Sequence, residues 1–89
     1  MDENNYYVYI LLCSDATFYI GTSNDVDKRV ATHNSGKGAK YTKFRRPVKL
    51  LYKEGLNSKS EALKREAEWK KKTRKAKELF LQNHGINWQ

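Results

Sequence analysis

Between Tyr6 and Thr22 the chain alternates, turns and alternates again, and no other stretch constrains the fold as tightly. In Tyr6–Leu12, Val8, Ile10 and Leu12 fall on one side of an extended strand, and Tyr7, Tyr9 and Leu11 on the other. Residues 17–22 repeat the pattern, with Phe18 and Ile20 opposite Tyr19 and Gly21. Ser14-Asp15-Ala16 between them is turn chemistry, so the two strands form a hairpin. A three-residue loop pairs Cys13 with Thr17 and puts Tyr9, Leu11, Tyr19 and Gly21 on one sheet face. A two-residue loop would put Tyr9 and Tyr19 on opposite faces, because side-chain direction has a period of two. The three-residue loop is expected.

A hairpin cannot stand alone in water, so the remaining segments must cover it. A first helix is expected to start near Ser23 or Asn24 as N-cap, with Asp25 and Asp27 in its first turn and Gly36 at its end. Its inward stripe reads Val26, Arg29, Val30, His33. Residues 37–46 read as a basic loop and 48–52 as a third strand. Ser58-Lys59-Ser60-Glu61 is a capping box that opens a second helix. Thr73 caps a third helix, which ends at His84-Gly85. The later helices share the stripe Ala62, Glu66, Trp69, Thr73, Ala76, Phe80, so Glu66 falls among core positions. A carboxylate there is costly unless it is paired or holds a metal.

The 89 residues allow one domain with one modest core. Hydrophobic residues are only 38%, but six Tyr, three Phe and two Trp argue against disorder. The longest apolar run, Val8 to Cys13, is far short of the ~20 residues a membrane span needs. The acidic, polar start Met1-Asp2-Glu3-Asn4-Asn5 is unlike a secretory signal. One cysteine cannot form an internal disulfide, and Cys13 lies in a strand pattern where a thiol packs as a small hydrophobe. Cys13, His33 and His84 lack the paired spacing of a zinc site. A cytoplasmic protein without membrane attachment is expected.

Charge is distributed unevenly. Of the 18 Lys and Arg, only Lys28, Arg29 and Lys37 precede residue 40, and the others all lie between Lys40 and Lys77. Only Glu54, Glu61, Glu66 and Glu68 oppose them there. Such a field favours a polyanion, most simply nucleic acid, although a solvated basic face is the plainer reading of a lysine run. Lys37, Lys40, Lys43, Arg45 and Arg46 in the loop, and Lys70, Lys71 and Lys72 on the helix, are the candidate nucleic-acid contacts. The run from Lys70 to Lys77 can also be read as a docking surface for a protein or RNA partner.

Two tyrosines on one face, an inward Arg29/His33 pair and an inward Glu66 are the groups with chemistry to offer. Each has an ordinary structural use taken alone: strand aromatics, an arginine stem laid along the core, a hydrogen-bonded histidine, a paired carboxylate. Their convergence on a basic domain is what points to a site.

With these residues in place, the chain resembles the GIY-YIG nuclease superfamily. Tyr7-Val8-Tyr9 matches the first half of that signature, with Tyr7 where the family has glycine, and Tyr19-Ile20-Gly21 matches the second. The family's arginine and histidine fall on Arg29 and His33, and its metal-binding glutamate on Glu66 in Ala62-Leu63-Lys64-Arg65-Glu66. The match runs from Tyr7 to about Thr73. The stretch Gly36-Lys37-Gly38-Ala39-Lys40-Tyr41-Thr42 is similar to that of the small single-domain bacterial branch. The resemblance implies an α/β (α+β) fold, a three-stranded antiparallel sheet flanked by helices. One domain is expected over residues 1–89, with a motif-bearing core at about 6–73 and a basic C-terminal helix at about 74–84.

It also implies an endonuclease that hydrolyses phosphodiester bonds in DNA with one Mg²⁺ (or Mn²⁺) per site. Glu66 would be the protein ligand, and with no second inward carboxylate expected there is no second ion. Arg29 would neutralise charge on phosphorus, and His33 would share proton traffic or hold a phosphate oxygen. Tyr9 or Tyr19 would position or deprotonate the attacking water, Tyr9 being favoured as base, provided nearby cations lower its pKa. Gly21 would allow close approach of backbone and substrate. Recognition would follow shape or backbone, with RNA a further possible substrate, a protein partner a possible source of specificity, and a monomer the expected state. The competing reading is a nucleic-acid-binding module with this fold and little or no activity, since the chain carries no separate recognition domain.

Overall fold

The computed structural model describes residues 5–88. Strands β1 (Tyr6–Leu12) and β2 (Phe18–Ser23) form the hairpin. They are followed by α1 (Val26–Asn34), a single-turn α2 (Lys40–Lys43), strand β3 (Lys49–Leu56), α3 (Lys59–Lys71) and α4 (Arg74–Asn83). The sheet is antiparallel in the order β2-β1-β3.

The three-residue loop is present. Cys13 N–H donates to the Thr17 carbonyl at 2.8 Å, and Ala16 takes the left-handed conformation (φ 69°) that closes such loops. The register therefore pairs Tyr9 with Gly21 and Leu11 with Tyr19, and all four side-chain positions share a face.

Being central, β1 is buried on both faces. Val8 and Ile10, with Ile20, pack against Ala62 and Trp69 of α3 and Leu81 of α4. Tyr9 and Leu11, with Cys13, pack against Val26 of α1 and Val48. The molecule is thus layered, α1 on one face of the sheet and α3 with α4 on the other. Single-residue slippage at Ile10/Leu11 leaves Leu51 of β3 as a bulge, which returns Leu50 to the α1 face opposite Leu11.

Several boundaries differ from expectation. Asp25, not Ser23 or Asn24, caps α1: its carboxylate accepts from the Lys28 N–H, while the Ser23 hydroxyl accepts from the Asp25 N–H. The third strand extends to Leu56 rather than stopping at residue 52, because β1 offers it partners as far as Tyr6. The stretch from 37 to 46 is not all loop, since it contains α2. The predicted caps Ser58 and Thr73 both accept backbone bonds, from Glu61 and Ala76. Glu61 reaches back to the Asn57 N–H at 3.3 Å, one residue beyond the usual capping-box partner. Thr73 is exposed and serves as a cap, so it does not belong to the apolar stripe, and Leu81 is the fully buried residue of α4.

Candidate active site

The hairpin register brings two phenols to the α1 side of the sheet, and α1 lays an imidazole across them. Tyr9 and His33 are 2% and 1% exposed, and the Tyr9 hydroxyl lies 3.0 Å from His33 Nε2. The rings of Tyr19 and His33 meet edge-on at 5.2 Å, and those of Tyr9 and Tyr19 lie 6.5 Å apart. His33 reaches this position because it sits about two helical turns beyond Val26 and one beyond Val30, both turned to the sheet.

Arg29 shares that stripe by position but not by burial. Its side chain is exposed, correcting the expectation of an inward arginine: a long stem leaves the core face within a few bonds. Its charge still acts on the cluster. Burial pushes the Tyr9 hydroxyl well above the ordinary phenol value, the neighbouring Tyr19 and the Glu66 carboxylate add to that, and Arg29 only partly opposes it. Tyr19 is raised by burial and by Glu66, with Lys70 and Arg29 opposing. Burial, reinforced by Arg29, lowers His33, which is therefore a neutral imidazole at neutral pH. Nearby cations do not bring the Tyr9 phenol down in the free protein.

Neutral burial of His33 links stability to pH. A histidine with a depressed folded pKa binds its proton more readily in the unfolded chain, so its contribution is complete above the unfolded value of about 6.5 and is lost as pH falls toward the folded one. The thermal midpoint should fall between pH 7.5 and 5.5, and His33→Gln should reduce that fall. An equal fall in the variant would remove His33 as its cause.

Glu66 is 19% exposed and paired with Lys70 at 3.2 Å, an i,i+4 contact along α3. Its influence on both phenols ties it electrically to the cluster. It is not the one shielded carboxylate, as expected, because Glu54 is 20% exposed. Glu54, however, is committed to Arg65 at 2.7 Å, to the Tyr52 hydroxyl at 3.1 Å and to Trp69 Nε1 at 3.4 Å. Among the described residues no group of three or more His, Cys, Asp or Glu gathers as a ready-made metal cage. Glu66 alone suits a hard ion that keeps most of its water, and for such an ion Lys70 must let go.

Gly21 makes room for a neighbour within the protein. A Cβ built there would lie 2.5 Å from the Tyr9 hydroxyl oxygen, so the ring of Tyr9 crosses over its cross-strand partner. The basic residues divide. Lys37, Lys40, Lys43, Lys71 and Lys72 are exposed. Arg45 is held by Asp15 at 2.9 Å and by the Tyr41 carbonyl, and Arg46 by the carbonyls of Lys43 and Asn34. Lys70 is engaged by Glu66, so these three are not free cations.

Three residues around α2 that the motif stretch contains, but to which no site role was assigned from sequence, complete the cluster. Tyr41 stacks on Tyr19 at 6.0 Å and is covered by the Arg45 guanidinium at 3.9 Å. The Thr42 hydroxyl is buried 2.8 Å from His33 Nδ1, and Gly38 leaves the space His33 fills. An aromatic and a β-branched residue amid lysines were the available signal. Tyr19 and Tyr41, with Lys70 and Lys77, line a cleft of about 260 Å³ at the β2 edge.

Paired strand tyrosines under an α1 histidine, with an arginine and a glutamate acting on the same phenols, define the GIY-YIG class of nuclease-related domains. The GIY-YIG catalytic domain model matches residues 5–79, and the chain belongs to that family. It is 51% identical over 89 residues to a UPF0213 protein of Lacticaseibacillus paracasei, covering the whole of both chains. It is 51% identical over 82 residues to the UPF0213 protein YazA of Bacillus subtilis, covering 92% of this chain and 83% of that one. The solution structure of EF2693 from E. faecalis superposes with a TM-score of 0.62 at 44% identity, over 94% of this chain and 90% of the other. That of the UPF0213 protein BH0048 from Bacillus halodurans gives 0.58 at 46%, over 88% and 83%. The small single-domain branch is the right one. No helix among the described residues is long and apolar enough to cross a membrane.

Proposed function

We propose that this chain is a metal-dependent endonuclease that hydrolyses phosphodiester bonds in DNA and is guided by backbone or shape rather than base sequence. The observation that carries the reading is the gathering of Tyr9 and Tyr19 under His33, with the Tyr9 hydroxyl 3.0 Å from Nε2 and the Tyr19 and His33 rings 5.2 Å apart, where the charges of Arg29 and Glu66, from two different helices, both reach the phenols. A dianionic, pentavalent transition state requires positive charge, which Arg29 supplies directly and a carboxylate supplies only through the cation it holds.

The residues take distinct parts. Arg29, with its head in solvent, binds the phosphate and neutralises charge that grows on it. Tyr19, at the cleft, orients the phosphate or the water. Tyr9 stays protonated in the free protein and serves as base only once the bound site favours its phenolate. Glu66 holds one Mg²⁺ (or Mn²⁺) in place of Lys70. When bound, the ion supplies charge stabilisation to the departing 3′-oxygen. Lys37, Lys40 and Lys43 on one side, and Lys71 and Lys72 on the other, hold the strand by its phosphates. A monomer is sufficient for this, and a protein partner would add specificity rather than chemistry.

The two raised phenols and the lysine on Glu66 also favour a second reading, a nucleic-acid-binding module with little activity. Cleavage of labelled duplex, single strand, flap, four-way junction and RNA hairpin, with Mg²⁺ or EDTA, separates the two. The nuclease reading expects a metal-dependent product that Arg29→Ala reduces at least about a hundredfold, with binding weakened far less. Salt-sensitive binding of every substrate with no product would establish the binding module instead.

A further inference from the structure

His33 Nδ1 has two polar neighbours, and one of them cannot adapt. The backbone N–H of Ala39 is aimed at Nδ1 from 3.4 Å, and a peptide nitrogen only donates. A proton on Nδ1 would face it head-on. The other neighbour is the Thr42 hydroxyl at 2.8 Å, whose single proton can go either to Nδ1 or to the Ala39 carbonyl at 3.0 Å. That carbonyl already accepts from the Thr42 and Lys43 backbone N–H groups at 3.1 and 3.2 Å, so it does not need the hydroxyl. The rotor therefore follows the fixed donor, and Nδ1 accepts from both.

We propose that Ala39, through its main chain, and Thr42, through its hydroxyl, are positioning residues that hold neutral His33 in the Nε2–H tautomer, so that the imidazole donates to the Tyr9 hydroxyl and Tyr9's own proton points away from His33. The Nε2–Oη separation of 3.0 Å fits that bond. One ring nitrogen's partner thus decides what the other can do. In this state His33 cannot take the Tyr9 proton. It stays neutral: Tyr9 loses its own proton to water on the side away from His33, the Nε2–H stabilises the phenolate left behind, and that phenolate then takes the proton of the attacking water. The short helix α2 and the glycine before it act as the mould: a Cβ at Gly38 would lie 2.5 Å from Nδ1 and 2.9 Å from the His33 Cα.

The tautomer itself stands on geometry alone, and only its catalytic consequence rests on the nuclease reading. The first readout is long-range ¹H–¹⁵N correlation of ¹⁵N-histidine-labelled full chain near neutral pH, without metal or nucleic acid. Wild type should show a pyrrole-like Nε2 and a pyridine-like Nδ1 for His33. Thr42→Val should move both nitrogens toward intermediate shifts, and Thr42→Ser should restore them. A pyrrole-like Nδ1 in wild type overturns the proposal, and this result needs no variant to fold. The second readout is kinetic: Thr42→Val should lower kcat at least tenfold with KM within about twofold, and Thr42→Ser should recover most of it. Unchanged nitrogens and unchanged kcat in a folded Thr42→Val would remove Thr42 from the role. A wild type with the expected tautomer that cuts no substrate would overturn the nuclease reading while upholding the tautomer.

Discussion

Glu66→Ala is expected to lower DNA cleavage by at least about 10²–10³-fold while the protein stays folded. The first half follows from the proposed function, in which Glu66 would be the ion's protein ligand beside the two phenols, so its removal would take away the charge stabilisation that ion would supply. The second half follows from what the side chain touches. Its ion pair is with Lys70, an i,i+4 contact in which the lysine is more than half exposed, and such pairs contribute about 0.2–0.5 kcal/mol. Alanine's better helix propensity offsets part of that. The thermal midpoint should therefore move by no more than a few degrees. Glu66→Gln, which keeps the shape and loses the charge, should be as inactive as the alanine variant. Either variant retaining more than about a tenth of wild-type cleavage would take Glu66 out of the metal-holding role, and with it the case for a one-ion site. Removal of Glu66 also frees Lys70, so binding in EDTA should be unchanged or slightly tighter, which separates lost chemistry from lost contact.

What the sequence made legible was whatever depends on a fixed period. Strand alternation and loop length together dictated that Tyr9 and Tyr19 share a face, and the Cys13–Thr17 bond is where that inference was decided. The helical period put His33 on the sheet. It put Arg29 there too, but a period locates Cβ atoms and not the far end of an arginine. Ser23-Asn24-Asp25 offered three consecutive capping residues, among which local pattern has no means of choosing. The i,i+4 partner of Glu66 was in plain view as Lys70.

The unread part is α2. Four residues are too few for periodicity, and what holds this turn in place is non-local: Tyr41 on Tyr19, Thr42 on His33, Arg45 on Asp15. Each contact joins segments whose proximity exists only after the hairpin and α1 have packed. Lysines at 37, 40 and 43 gave the stretch the look of a mobile basic loop, while its small and aromatic residues were shaping the site from behind.

Gly21→Ala tests how closely that site is fitted together. The added Cβ would sit 2.5 Å from the Tyr9 hydroxyl oxygen, 2.6 Å from Cζ and 3.1 Å from Cε1. A flexible, exposed tyrosine would swing aside at little cost. Tyr9 is 2% exposed and its hydroxyl is held by His33, so the ring moves only by breaking that bond and pressing into the α1 layer. Overpacking of this kind costs about 1–3 kcal/mol, a sizeable part of the ~5–15 kcal/mol a domain has in total. In the proposed nuclease role, where Tyr9 would orient or deprotonate water, a displacement of about 1 Å would cost about 10²-fold in rate. The variant should therefore lose several degrees of midpoint and most of its cleavage together. Gly55→Ala is the control: it lies in the same sheet, its Cβ would meet the Tyr7 ring at 3.4 Å, an ordinary contact, and it should leave both properties near wild type. Equal behaviour of the two variants would mean that Tyr9 does not lie over Gly21 in solution. The glycine of the second motif triplet would then have to be explained by substrate approach, the role first expected of it, instead of by the ring it accommodates.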